Sequence, residues 1–170
     1  SLPPERRARL ELARANPLGS LALLRSRPGL LGLAGVAFLY YVAHEVLTAV
    51  FVLYTAHRYG WDTVTVGAAM ALVGLTTVIV MGGLVGPVVR FLGERRALLV
   101  GLLGGAAAFA IYATAPTGAW FWAGIPVMAV WGLVAPAAQA LMTRRVGVDE
   151  QGRLQGALTA LRAIARLIGP

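Results

Sequence analysis

The chain has 170 residues, 58% of them hydrophobic and 13% charged, with a mean hydropathy of +0.74. A soluble domain of that composition would lack polar surface, so the chain reads as an integral membrane protein. The net charge is +8, all 15 basic residues are arginine, and cysteine is absent, which excludes disulfides, thiolate metal sites and a cysteine nucleophile.

Residues 1–28 form a basic, partly amphipathic leader. Its RRARLELARA stretch is helix-prone and ends at Asn16-Pro17, because proline disfavours helix at the residue before it. Glu5 and Glu11 alternate with its arginines, so it reads as a cytoplasmic linker along the membrane surface, a tether more than a specific lipid site.

Four apolar runs follow: Leu30–Tyr54, Thr65–Val89, Ala97–Ala115 and Trp120–Met142. A fifth begins near Leu154. A helix rises about 1.5 Å per residue and the hydrocarbon core is about 30 Å thick, so roughly 20 apolar residues cross it. Three runs meet that length and the third is borderline. The connection AHRYGWDTVT offers Tyr59 and Trp61 to the headgroup level and Asp62 or Thr63 as a helix N-cap. APTGAW joins the third and fourth runs, with Trp120 and Trp122 as interface aromatics. Gly82–Gly86 and Gly101–Gly105 have GxxxG spacing, which lets helix backbones approach closely.

Charge placement sets the expected topology. Arg6, Arg7, Arg9, Arg14, Arg25 and Arg27 precede the first run; Arg90, Arg95 and Arg96 lie between the second and third. Arg144, Arg145 and Arg153 follow the fourth, and Arg58 alone occupies the other connections. Arginine-rich loops stay in the cytoplasm, so the N-terminal segment and these two junctions are expected inside. The basic balance is then a topology signal, and no nucleic-acid partner is expected. Because the sequence opens with Ser1 and Pro170 falls partway into the fifth run, it reads as a piece of a longer transporter.

Ionisable groups inside a membrane are costly and mark a pathway or a pair. Within the runs they are His44, Glu45, Arg162 and Arg166. Counting from Gly29 and from Gly152, Glu45 lies roughly 24 Å deep, Arg166 roughly 21 Å and Arg162 roughly 15 Å, so depth favours a Glu45–Arg166 pair. Tyr41, Glu45 and Thr48 share one helix face, and Gln155, Thr159, Arg162 and Arg166 share another. Two polar stripes on apolar helices suit the wall of a water-filled cavity. Glu45 would load a proton or bind a cationic substrate, Arg166 favouring its charged form while paired. The alternative is a static buried ion pair. Histidine beside glutamate suits titration near neutrality. The two histidines, His44 and His57, form no helical metal-ligand pair, and no metal or other cofactor is expected. Trp131, Met128, Met70 and Met81 fit either a promiscuous drug site or simple packing. No nucleophile–base pair or HExxH motif suggests an enzyme.

Two junctions carry a more specific pattern. They are GPVVRFLGERRALLVG at 86–101 and PAAQALMTRRVGVDEQGRLQG at 136–156, with LIGP at 167–170. With NPLGSLALLRSRP in the leader and YGWD in the first outside connection, the chain resembles the C-terminal half of a major facilitator superfamily transporter. Within it the resemblance is to the tetracycline-efflux branch of the drug:proton antiporters. It implies an all-α integral membrane fold of twelve helices in two bundles, of which this chain holds helices 7–10 and the start of helix 11. It further implies proton-coupled efflux of drug-like compounds by alternating access, a plasma (inner) membrane location, and a six-helix N-terminal half as partner. In the first junction Gly86 and Gly93 would form the turn that Arg90, Arg95 and Arg96 anchor, with Glu94 able to pair with Arg90. A gating role and a plain orienting turn both remain open. The second junction contributes Pro136, Gln139, Arg144, Arg145, Asp149, Glu150, Gly152 and Arg153, read either as a solvated loop or as a coupling element. Where the resemblance implies an acid in helix 9 and a histidine in helix 8, this sequence has Gly105 and Thr77. A same-fold transporter of another solute, and a non-transporting structural half, are the competing readings.

Overall fold

The computed structural model describes residues 17–27 and 29–169, so the RRARLELARA stretch lies outside the described residues. Those residues form helices and turns only: α1 (Pro17–Arg25), α2 (Leu30–Tyr59), α3 (Thr63–Ile79), α4 (Val85–Leu92), α5 (Glu94–Thr114), α6 (Gly118–Trp131), α7 (Val134–Thr143) and α8 (Gln151–Ile168). Four stretches are long and apolar enough to cross a membrane: Leu30–Tyr59, Thr63–Leu92, Glu94–Thr114 and Gly118–Thr143. In the first two, only 17% and 11% of the apolar window is buried. Leu39, Leu53, Val78 and Leu103 are more than two-thirds exposed, at 67%, 74%, 69% and 70%. Water would not tolerate that much open apolar surface; hydrocarbon does. The expected all-α membrane architecture is what the chain adopts.

The ends differ from the hydropathy reading for local reasons. The first span runs on through His57 and Arg58, whose charge or polarity suits a helix C-terminus, to Tyr59. Gly60, at φ +65, then ends the helix in the left-handed region. Asp62 caps α3: its Oδ1 accepts from the Thr65 backbone N–H at 2.9 Å. The second span is α3 and α4 joined by a π-helical turn, Val80–Leu84, in which the Val85 N–H reaches back to the Val80 carbonyl. The fourth is interrupted at Gly132–Leu133. Pro136 has no N–H to offer the Gly132 carbonyl, so α6 ends and α7 begins there.

The chain divides into two compact units: residues up to Glu45 with those from Ala140 onward, and Val46–Gln139. In Val46–Gln139, α5 and α6 pack through bare backbone. A methyl at Gly101 would meet Val134 Cγ2 at 2.9 Å, one at Gly104 would meet Val130 Cγ1 at 2.9 Å, and one at Gly105 would run into the Trp131 ring. The Gly101–Gly105 spacing is thus used for close packing, whereas Gly82 and Gly86 face open space. At the unit's other end Phe51, Tyr112, Phe121 and Ile125 form a core flanked by Tyr59, Trp61 and Trp122. Tyr112 and Phe121 stack at 4.1 Å, and Trp61 meets Phe121 edge-on at 5.5 Å. Trp61 therefore packs inside this cluster and also lies over Gly118, while Trp120 is 60% exposed as an interface aromatic would be. The Tyr54 hydroxyl donates to the Tyr112 carbonyl at 2.9 Å. Tyr59 and Arg58 donate to the Ala115 carbonyl at 3.1 and 3.3 Å.

In the other unit α1 lies against α8. Leu23 and Leu24 are buried there with Leu154, Ala157 and Leu158. Gly156 lets Ser20 approach: a methyl at that position would sit 3.0 Å from the Ser20 hydroxyl. Pro17 opens α1 at a position where its missing N–H costs nothing.

Candidate functional site

The polar residues of α2 and α8 meet in the first of these units. Arg166 Nε donates to Glu45 Oε1 at 3.1 Å, the carboxylate side chain being 28% and the arginine 72% exposed. Arg162 instead holds its guanidinium 4.8 Å above the ring of Tyr41, which is buried. The depth argument thus pairs the right residues. One turn of α8 separates the two arginines, and one turn of α2 separates Tyr41 from Glu45, so the two contacts stack along the same pair of helices. Gly169 lets the end of α8 come close, since a methyl there would lie 3.0 Å from Glu45 Cβ. His44 stacks on Tyr40, ring centroids 6.1 Å apart and nearly parallel. On α8, Gln155 and Thr159 are exposed beside these arginines, and the Thr159 hydroxyl donates to the Gln155 carbonyl at 2.9 Å. Leu154, Ala157, Leu158 and Ala165 of the same helix are buried.

The second junction is a folded structure in which the leader takes part. Arg27 Nη1 donates to the Arg145 carbonyl at 2.6 Å, and its Nη2 meets Glu150 Oε2 at 2.7 Å. Glu150 Oε2 also accepts from the Gly147 N–H at 3.1 Å. Arg145 Nη1 returns a bond of 2.8 Å to the Gly29 carbonyl, two positions after Arg27. Gly29 has φ +81, the left-handed region that favours glycine, and a methyl there would meet the Arg145 guanidinium at 2.5 Å, so that side chain would have to shift. Charge-assisted bonds of this length are the stronger kind, and three of these four bonds bridge leader and loop. Asp149 and Glu150 sit in a 3₁₀ turn ahead of α8, where carboxylates favour the helix N-terminus. Asp149 Oδ1 lies over Gly147, Gly152 is open, and Arg144 and Arg153 are exposed beside them. Arg27 is the residue that sequence reasoning missed: its partners stand 118 and 123 positions away, and no spacing rule reaches that far.

Thr48, Pro136, Gln139 and the first junction belong to the other unit, Val46–Gln139. There Gly93, at φ +78, makes the turn between α4 and α5, as expected of it; Gly86 does not, being helical within α4. Arg90 lies in the last turn of α4 and Glu94 in the first turn of α5, each matching the helix dipole, with Arg95 and Arg96 following. Trp131 is core, edge-on to Phe109 at 5.3 Å. It fills the space that a side chain at Gly105 would need, so an acid could not be accommodated there without displacing the indole. Thr77 donates its hydroxyl to the Val73 carbonyl at 2.7 Å. Met70 and Met81 are exposed, and Met128 packs on the aromatic core. An apolar pocket in this unit, ≈ 220 Å³, is lined instead by Phe51, Tyr54, Phe109, Tyr112 and Phe121.

Comparison with known proteins agrees with this architecture. The Major Facilitator Superfamily model matches residues 1–170. A tetracycline resistance protein, class G, of Vibrio anguillarum is 35% identical over 92% of the chain and 40% of its own length. The class E protein of Escherichia coli is 34% identical over 82% of the chain and 34% of its own length. The human Hippocampus abundant transcript-like protein 1 is 27% identical over 96% of the chain and 32% of its length. The chain thus spans two-fifths or less of these curated relatives, and no solved structure gives a significant match. The chain belongs to the Major Facilitator Superfamily.

Proposed function

From that membership and the charged contacts of α2 and α8, we propose that the chain is part of a secondary transporter. It exports drug-like compounds, tetracycline-like ones among them, in exchange for protons by alternating access. Its other part is a six-helix N-terminal half, and it resides in the plasma (inner) membrane with its N-terminal segment in the cytoplasm. The bonds between Arg27 and the second junction support that orientation, because they keep two arginine-rich segments at one end of their unit.

The observation that carries the reading is the Glu45–Arg166 pair on otherwise apolar helices. An exposed pair facing water is worth about 0–1 kcal/mol, too little to lock a conformation. Enclosed by hydrocarbon or protein, the same pair is strongly held, because separating it leaves an uncompensated charge. A proton on Glu45, or a cationic substrate beside it, takes Arg166's place at the carboxylate, and the freed guanidinium then needs water or another anion, which its exposed side chain can reach. The site can therefore be held in one state and released in the other. Thr159, Gln155 and Tyr41 with Arg162 extend the polar face along which a solute could move.

The test is drug/proton exchange in inverted vesicles carrying this chain together with a complementary six-helix half. Glu45→Gln should abolish proton-driven efflux while leaving the protein folded; unchanged efflux eliminates the coupling role. One observation favours a second reading, a same-fold transporter of another solute: Trp131 occupies the place where the tetracycline-efflux pattern has an acid. Solute-driven uptake in the same vesicles, without drug export, would select it.

A further inference from the structure

The geometry points to a binding site for an anionic phospholipid in the groove that α1, α2 and α8 form around Arg25. This cavity, ≈ 530 Å³, is lined by Leu21 and Arg25 of α1, Leu31, Gly35 and Phe38 of α2, and Leu161 of α8, among others. Leu31 is 56% exposed, and nothing lies within 4 Å of where a Gly35 side chain would begin, so the groove is open along α2. From Leu31 to Phe38 it runs roughly 10 Å along the helix.

The lining of the groove matches the chemistry of a phospholipid. Among the described residues that line it, Arg25 is the one cation, and the others present aliphatic or aromatic carbon. Arg25 is exposed and has no hydrogen-bond or ion-pair partner among the described residues, whereas Arg27, two positions on, is committed to Glu150. The guanidinium supplies planar donors for a phosphodiester, and basic pockets between membrane helices hold anionic headgroups in this way. The side chains of Leu21, Leu31, Phe38 and Leu161 carry no hydrogen-bonding group. They offer dispersion contact to an acyl chain. The charge alternation of the leader suggests only a tether; the folding of α1 onto α8 is what gives Arg25 an apolar groove to guard. The inference is independent of which solute is transported.

Native mass spectrometry of the detergent-solubilised chain tests it, with palmitoyl-oleoyl phosphatidylglycerol or the phosphatidylcholine of the same chains added stepwise. The expected result is one phosphatidylglycerol retained at about tenfold lower lipid concentration than phosphatidylcholine, matching the ~1.4 kcal/mol of one charge-assisted contact. Arg25→Gln should erase that preference and leave phosphatidylcholine retention unchanged. Gly35→Leu, which fills the groove from an open position, should lower retention of both, with helical content checked by circular dichroism. Equal retention of the two lipids by the unmodified chain, or an undiminished preference in Arg25→Gln, overturns the proposal. So does displacement of the lipid by millimolar glycerol phosphate, which would mark a headgroup site without a tail. Loss of the lipid on co-purification with a six-helix half would assign the groove to protein, and equally overturn it.

Discussion

In Val46–Gln139, α5 and α6 touch backbone to side chain across Gly101, Gly104 and Gly105, and a stack of aromatic rings closes the far end. In the other unit the distinctive contacts are Arg27 with Glu150, Arg145 with Gly29, Arg166 with Glu45 and Arg162 with Tyr41. The first kind of packing has no cheap alternative: separating the surfaces forfeits dispersion along the whole seam, and shifting them by a fraction of an ångström produces collisions. The second kind, where its side chains face water, can be exchanged for bonds to water at small net cost. The contrast separates packing that resists rearrangement from polar contacts that can be remade.

The contrast can be broken most forcefully at Gly105. Gly105→Val should destabilise the chain by about 1–3 kcal/mol or more through overpacking against Trp131, read as a lowered Tm in detergent. Gly86→Ala, on a helix face in open space, should be neutral or gain about 0.5–1 kcal/mol. Equal effects at the two positions would mean that the α5–α6 seam is not tight. Arg27→Gln should cost about 1 kcal/mol, since the pair is only partly buried, and should speed amide exchange at Gly147. Combined with Glu150→Gln, the loss should fall short of the sum of the single losses; strict additivity would show that the two side chains do not interact.

The smallest effect concerns Asp62, where hydrogen bonds from the Thr65 side chain and backbone N–H hold the carboxyl below its ordinary value of 3.8. A depressed folded-state value means the cap stabilises α3 above about pH 4 and is lost as pH falls through the folded value. Asp62→Asn should keep the cap and remove that acid sensitivity, whereas Asp62→Ala should lose both; a Tm series between pH 5 and 2.5 separates them.

Much of the molecule was legible because its determinants are local. Apolar length marked the four spans, Asp62 or Thr63 stood out as the cap that starts α3, and depth along two helices selected Arg166 over Arg162 as the partner of Glu45. The remainder depends on contacts between distant positions. Arg27 counts as one more inside charge until Glu150 is placed beside it. GxxxG spacing is the same at Gly82–Gly86 and Gly101–Gly105, and only the presence of Val130, Trp131 and Val134 opposite the second pair distinguishes them. The helix Pro17–Arg25 is short, and the buried Leu23 and Leu24 packed with Leu154 and Leu158 supply the stabilisation that its own sequence does not.

The π turn at Val80–Leu84 also fixes rotational phase. It fits one surplus residue into a single winding of the span, and each residue of an α-helix is worth about 100° of rotation. Because the winding absorbs that residue, removing Gly82 or Gly83 would allow an uninterrupted α-helix from Thr63 to Leu92 with Val85–Leu92 near its present phase, whereas straightening the turn with the residue kept would swing Arg90 by roughly that angle relative to α3. A one-codon deletion there would thus leave hydropathy, length and the facing of Arg90 almost unaltered, while taking away the winding through which the two halves of the span could turn against each other.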